Sequence, residues 1–468
     1  MRLFHAPGKT HATFDDEHLI GLAGLAPVMR LAERRGLGEL AAEHVTAADP
    51  HSANTPEKIS SIVAGMVAGA DSIDDLDALR HGGMDTVFGD IRAPSTLGSF
   101  LRGKSWGGVR QVEKLNRWML AALAAHTPLP PGADMLAFVD VDSMQRRTYG
   151  YQKQGSGFGH TKIQGKSVLV RGLNVLLGTA STPLAAPVVT GTRLRGGSAS
   201  SARGADSFIR EQIGTAREAG ATGTLIVRGD SAFYTAKAIN ACIGLDARFS
   251  VTVKMDPKIK AAIAAIGETA WRGIKYPRAV FDTQAGGWVS DAQIAETSYT
   301  AFASKKGKAV TARLIVRRVK RLNPKAAEGQ DELFTTWRYH ALFTDSPYAL
   351  VQAEEQHRDH AVVEQANADL IDGPLAHLPS GVFTANAAWL TLAALAHNLL
   401  RAAGCLAGAF HSRARGATLR RHLVNVPARI ARHGRDHLTY HLPAHWRWQH
   451  AWMNLFDATF KPPPARAG

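Results

Sequence analysis

Four acids, Asp140, Asp142, Asp230 and Glu364, have the types and spacing to do chemistry in this chain. The stretch Leu136-Ala137-Phe138-Val139-Asp140-Val141-Asp142-Ser143 runs apolar into two aspartates, which reads as a buried strand ending in carboxylates. Alternate side chains of a pleated strand share a face, so Asp140 and Asp142 point the same way. Two like charges at the end of a core strand are unfavourable unless something positive sits there, and a divalent metal is the expected partner. A second short apolar run, Gly223 to Gly229, again stops at an aspartate, Asp230. Glu364 follows on a later polar helix, where a metal site built on these strands would need a third ligand.

The elements that must position these acids follow a readable order. Residues 1–134 read as helical with polar faces: His18 to Val45, a helix started by Thr55-Pro56-Glu57 with the threonine as cap, and Ser95 to His126. Arg102, Lys104, Arg110, Lys114 and Arg117 stand there beside Trp106 and Trp118, so the region is assigned DNA binding or dimerisation. From residue 135 to 266 three strands are followed by a helix from Ser201 to Glu218 and the strand into Asp230. A helix from Thr235, the strand Arg248 to Lys254 and a helix near Asp256 to Ile266 complete the run. That is the order of a ribonuclease-H-like core, in which the strands carrying the first two acids are neighbours. Residues 267–345 interrupt it with alternating segments and basic turns, a β-rich insertion whose Trp271, Trp288 and Trp337 are expected to pack. Residues 346–403 resume the core and bring Glu364, and residues 404–468 form a basic tail. The fold class expected is α+β or α/β.

The 468 residues carry a formal net charge of +15, which favours a polyanionic partner, nucleic acid before membrane. The segment beyond Ala402 holds a surplus of eight basic residues interleaved with Trp446, Trp448 and Trp452, a composition suited to nucleic-acid contact or to an anchored surface helix. Cys242 and Cys405 are the two cysteines, too few for a disulfide framework or a Cys-rich zinc site. The N-terminus has no apolar signal segment, and the run Ala387 to Ala396 is short and edged by Asn386, His397, Asn398 and Arg401. A cytoplasmic protein without membrane contact is expected.

With these residues in place, the chain resembles bacterial insertion-sequence transposases of the DDE type, in the IS-four-like superfamily. It is closest to the group named after insertion sequence thirteen-eighty. The resemblance runs from about Ala53 to Gly404. It rests on Asp140-Val141-Asp142-Ser143, Leu194-Arg195-Gly196-Gly197, Val227-Arg228-Gly229-Asp230-Ser231-Ala232-Phe233, and Ala385-Asn386-Ala387 with Ala396-His397-Asn398-Leu399, in the family's order. It implies two aspartates and a glutamate on a ribonuclease-H-like sheet, acting with two Mg²⁺ ions for which Mn²⁺ can substitute. By the Asp-Ser pattern the first acid is Asp142, with Asp140 in reserve; Asp230 is the second and Glu364 the third. Two cations about 3.5–4 Å apart activate a water or 3′-hydroxyl and stabilise the leaving oxygen during in-line attack at phosphorus. The implied activity is cleavage and strand transfer at terminal inverted repeats, by cut-and-paste, in a homodimer or larger synaptic complex on DNA.

The superfamily's third motif, Tyr-x2-Arg-x3-Glu-x6-Lys, is altered. His357, His360 and Ile371 stand where its tyrosine, arginine and lysine would be, while Glu364 is kept. Arg358 is a candidate for the lost phosphate contact, and so is His360; both histidines also read as helix-surface residues or, with Glu364, as zinc ligands. Two other functions stay open: a haloacid-dehalogenase-like phosphatase with Asp140 as nucleophile, and an inactive DNA-binding descendant of a transposase.

Overall fold

The computed structural model describes residues 4–150, 152–163, 166–277, 279–284, 286–320, 337–434 and 437–461. The expected basic turn at 321–325 and the first residues of a strand expected over Leu333–Thr344 lie outside that set.

The N-terminal region is helical, as its periodicity predicts: α1 (Leu25–Arg34), α2 (Leu37–His44), α3 (Thr55–Ala68), α4 (Pro94–Arg102) and α5 (Trp106–His126). Thr55 is not the cap of α3. Its hydroxyl donates to the Ser52 carbonyl, and Asn54 takes the cap position in a left-handed conformation at φ 54°. In α5, by contrast, the Ser105 hydroxyl accepts from the Gly108 N–H at the cap.

Next comes the sheet. Strands β1 (Leu136–Arg147), β2 (Gly157–Ile163), β3 (Lys166–Thr182) and β4 (Ala185–Arg195) are followed by α6 (Ala205–Glu218) and β5 (Thr224–Gly229). Then follow α7 (Ala236–Ile243), β6 (Arg248–Thr252) and α8 (Pro257–Ala264). β1 pairs antiparallel with β3 and parallel with β5, which pairs parallel with β6; β4 flanks β3. The order β4-β3-β1-β5-β6 makes a mixed α+β architecture compatible with the ribonuclease-H-like expectation. β2, a hairpin partner of β3, was not foreseen.

The insertion supplies β7 (Ala292–Ala301), β8 (Val310–Lys320) and β9 (Trp337–Thr344). β9 pairs with β6, β8 with β9 and β7 with β8, so these strands prolong the core sheet instead of forming a layer of their own. Trp271 and Trp337 pack there, 4.2 and 4.4 Å from the Arg318 guanidinium.

The chain then returns through α9 (Leu350–Arg358), a 3₁₀ turn at Asp359–Val362 and α10 (Val363–Ile371) to α11 (Phe383–Ala407). α11 is longer than the apolar run in the sequence because its polar residues are inside it and bonded. Asn386 bonds the Ser380 backbone at the helix start, and Asn398 takes both the N–H and the C=O of Val189 on β4, each at 2.7 Å. Arg401 donates to the Ser412 and Ala414 carbonyls. Among the described residues α11 is the one helix long and apolar enough to cross a membrane, and it is the buried centre of a core made with α3, α5, β4 and the final helix.

Beyond residue 404 the chain folds back. β10 (Ala428–His433) and β11 (His437–His441) make a small sheet with Leu19–Ile20, and α12 (Gln449–Phe460) packs on α1 and α11. Trp452 is buried, Trp446 donates to the His422 carbonyl, and Trp448 stacks on His422 at 4.3 Å. The three tryptophans are engaged in packing.

Candidate active site

One face of the sheet carries the chemistry. On β1 the odd residues Ala137, Val139 and Val141 enter the core beneath α6 and α7, which turns Asp140 and Asp142 to the opposite face. β5 does the same: Leu225 and Val227 go into that core, and Arg228 and Asp230 face the other way. β6 contributes Ser250 and Thr252 to the same face, which α9 and α10 cover. The strand pairing sets Asp140 beside Arg228 and Arg228 beside Ser250, one polar row across three strands. Asp142, Asp230 and Thr252 stand two residues further along each strand, in the next row.

The inner row is closed. Asp140 is 0% exposed and Arg228 1%. The guanidinium meets the carboxylate with two bonds, Nε to Oδ1 at 2.6 Å and Nη2 to Oδ2 at 2.7 Å, and donates its remaining arm to the Gln356 carbonyl on α9. It also lies 4.0 Å above the Phe138 ring. His360 Nδ1 donates to Asp140 Oδ1 at 2.9 Å. Burial alone would push the Asp140 carboxyl up, but the Arg228 charge and the His360 bond hold it below the usual carboxylate range. Burial likewise opposes charge on His360, and Asp140 overrides it, so His360 titrates above its ordinary value.

His357 bridges both rows. Its ring nitrogens bond the Ser250 and Thr252 hydroxyls, each at 2.9 Å, one donating and one accepting. Burial, with the nearby His360 and Arg228 charges, drives its pKa down to about 3, so it is a neutral clamp between α9 and β6. Neither histidine is a helix-surface residue. His360 is bound to Asp140 and is not free to meet a phosphate through that nitrogen, and Arg358 is paired with Glu354 at 3.0 Å.

The outer row has no bonded cation. β1 does not end at Asp142 as its sequence suggests; β3 goes on pairing with it as far as Arg147, whereas the parallel partner β5 stops at Gly229. Asp142 therefore stands where one neighbour has just ended. It accepts from the Ser143 N–H at 2.7 Å and from Asn367 Nδ2 at 2.8 Å. Burial raises its pKa against the pull of the Ser143 N–H, the nearby His360 charge and the Asn367 amide, and the Asp230 charge adds to the rise. Asp230 is exposed and turns Oδ1 to the Ala232 N–H at 2.9 Å. Glu364 is exposed in the first turn of α10. Asn367, which reaches Asp142, lies three residues further on the same helix, so Glu364 and Asn367 share one side of it.

Among the described residues no three carboxylate, imidazole or thiol side chains are gathered close enough to hold a metal ion. The structure brings Asp142 and Asp230 into electrostatic contact and places Glu364 on the covering helix with its side chain turned to solvent. Sequence reading missed Asn367. The signal was present: a polar residue one turn after Glu364 on the same helix face.

Other parts of the resemblance prove to be structural. Arg195 bonds Asn174 and the carbonyls of Ser200, Ser201 and Arg203, fixing the loop after β4. At Gly197 a side chain would strike the Gly172 and Gly157 carbonyls. A cleft of about 680 Å³ opens on the site's face of the sheet, lined among others by Phe138, Arg228, Gln356, Arg358 and Gln365. An apolar pocket of about 310 Å³ between α1 and α3 holds none of the four acids.

The family model for the transposase DDE domain, group 1, matches residues 6–461. The chain belongs to this family. It is a DNA transposase, an enzyme acting on DNA, from a family that generally uses divalent metal ions. No curated protein matches the chain. The phosphatase alternative is not favoured: both Asp140 oxygens are taken and the residue has no exposed surface, so it cannot serve as a nucleophile.

Proposed function

We propose that this transposase cleaves and rejoins DNA strands at the terminal inverted repeats of an insertion sequence, with Asp142, Asp230 and Glu364 as its metal-binding acids and Asp140 outside the set. The observation that carries the reading is the relation between the two rows. Asp142 lies two residues beyond Asp140 on β1, Asp230 two beyond Arg228 just past the end of β5, and Glu364 four beyond His360, in the first turn of α10. Asp142 and Asp230 thereby stand beside the buried unit, and Glu364 is carried on the helix that follows it.

The residues fit a hard cation. Asp142 and Asp230 repel each other with no basic side chain bonded to either. The Asn367 Oδ1 next to Asp142 is buried without a donor. Carboxylate and amide oxygens are the ligand type that Mg²⁺ prefers. When bound, a pair of Mg²⁺ ions would activate the attacking hydroxyl and stabilise the leaving oxygen. The chain's own part is to hold Asp142 and Asp230 on two paired strands and to bring Glu364 to them on α10 by a side-chain rotation. In this reading the enzyme works by cut-and-paste, as a homodimer or larger synaptic complex, in the cytoplasm, and its basic surplus serves phosphate contact.

The test is Mg²⁺-dependent nicking of an inverted-repeat duplex. Asp142→Asn, Asp230→Asn and Glu364→Gln are each expected to lower the rate roughly 10³-fold or more while leaving duplex binding intact. Full nicking by Asp142→Asn would remove the assignment.

A further inference from the structure

Asn367 sits on α10 with its amide NH₂ turned to Asp142 Oδ2 at 2.8 Å, because an ionised carboxylate can only accept. The other Asp142 oxygen is held by the Ser143 N–H, so both have fixed donors. The Asn367 amide oxygen is buried and receives no hydrogen bond. A buried acceptor left unpaired is costly, and a half-satisfied amide beside a functional carboxylate calls for a reason. A cation-bound water would supply what is missing. Mg²⁺ keeps several of its waters, and each is a strong donor.

We infer that Asn367 is a further member of this acid centre: a positioning residue that fixes the Asp142 carboxylate and offers its buried oxygen to the hydration shell of the bound cation. The inference rests on the proposed assignment of Asp142 as a metal ligand. Asn367 also ties α10 to β1, so the same bond that orients Asp142 holds the helix carrying Glu364.

The test is direct titration of the full-length protein with Mn²⁺ in the absence of DNA, by calorimetry or paramagnetic relaxation, with thermal unfolding of the metal-free protein measured in parallel. Residues that orient a metal ligand typically contribute 10–100-fold to affinity, so Asn367→Leu and the smaller Asn367→Ala are each expected to weaken Mn²⁺ binding by about that factor. Asp142→Asn is expected to weaken it at least as much, and Asn367→Leu is expected to have a smaller effect in the Asp142→Asn background than in the wild type, because the orienting part of its role passes through Asp142. Wild-type Mn²⁺ affinity in both Asn367 variants overturns the inference and leaves the acid assignment standing. A loss that follows only the drop in metal-free melting temperature, or that persists undiminished in the Asp142→Asn background, makes Asn367 a tether and also overturns it. If Asp142→Asn itself binds Mn²⁺ like wild type, the assignment of Asp142 fails, and this inference with it.

Discussion

Two rows of polar residues lie side by side on one face of the sheet, and they are built to opposite ends. In the inner row Asp140 and Arg228 meet with two bonds, His360 adds a third, and the Gln356 carbonyl takes the last arm of the arginine. In the outer row no basic side chain is bonded to Asp142 or Asp230, and Glu364 is turned to water. The strands are the same and the step is two residues. The difference lies in what crosses from the covering helices: the His360 imidazole and the Gln356 carbonyl reach Asp140 and Arg228, and the Asn367 amide alone reaches Asp142. A buried charge whose partner is removed is costly, so the inner row is sensitive to losing one member, whereas a carboxylate with no bonded cation is available for a ligand.

The contrast breaks most visibly if the inner row is cut. Arg228→Met leaves Asp140 buried with His360 as its one remaining partner, which is expected to cost about 3–5 kcal/mol of stability. The double variant Asp140→Leu/Arg228→Met removes both charges, and its loss is expected to be smaller than that of Arg228→Met alone. Denaturant midpoints for the two proteins check this; equal losses would mean the pair is not the unit described.

The histidines give the next effect, through pH. His357 is held at about 3 when folded, against 6.5 for a free imidazole. Its contribution is therefore complete above pH 6.5 and is lost as pH falls from there, because the unfolded chain takes up the proton first. His360 has the opposite sign: its folded value is raised, so its contribution is complete below 6.5 and is lost as pH rises through that folded value. Melting temperature against pH is expected to fall on the acid side, and His357→Gln is expected to flatten that limb between about pH 6.5 and 4. Some slope remains, since buried His397 is likewise lowered, to about 4. An unchanged acid limb in His357→Gln would show that the clamp is not neutral.

The smallest effect is the most specific to the outer row. The Asp142 carboxyl is pushed up by burial and then by Asp230, so ionising it at neutral pH opposes folding. Asp142→Asn is expected to raise the metal-free melting temperature by about 1–2 °C at pH 7 while abolishing nicking. Asp140→Asn is expected to lower the melting temperature instead. The two neighbours on β1 would then answer the same substitution with opposite signs, and a fall in both would erase the distinction between the rows.

Much of this was legible in the chain itself. The step of two between Asp140 and Asp142 fixes a shared face in any strand, and the apolar runs into Asp142 and Asp230 mark two core strands. The Asp-Ser pattern chose Asp142, and the resemblance chose Glu364. What the sequence could not decide was which aspartate would be neutralised. Arg228 lies 88 residues from Asp140, and only the parallel register of β1 against β5 sets them side by side. The histidines looked like surface residues because a helix sequence does not say which element will cover it; tertiary packing turned His357 to β6 and His360 to Asp140. The insertion read as β-rich without a partner for its strands, because strand periodicity carries none, and the pairing of β9 with the edge of β6 made it part of the same sheet. Local sequence determines face and period because the backbone imposes them within a few residues. Partnership across the fold, and with it the division into a closed row and an open one, depends on contacts that form only when distant segments meet.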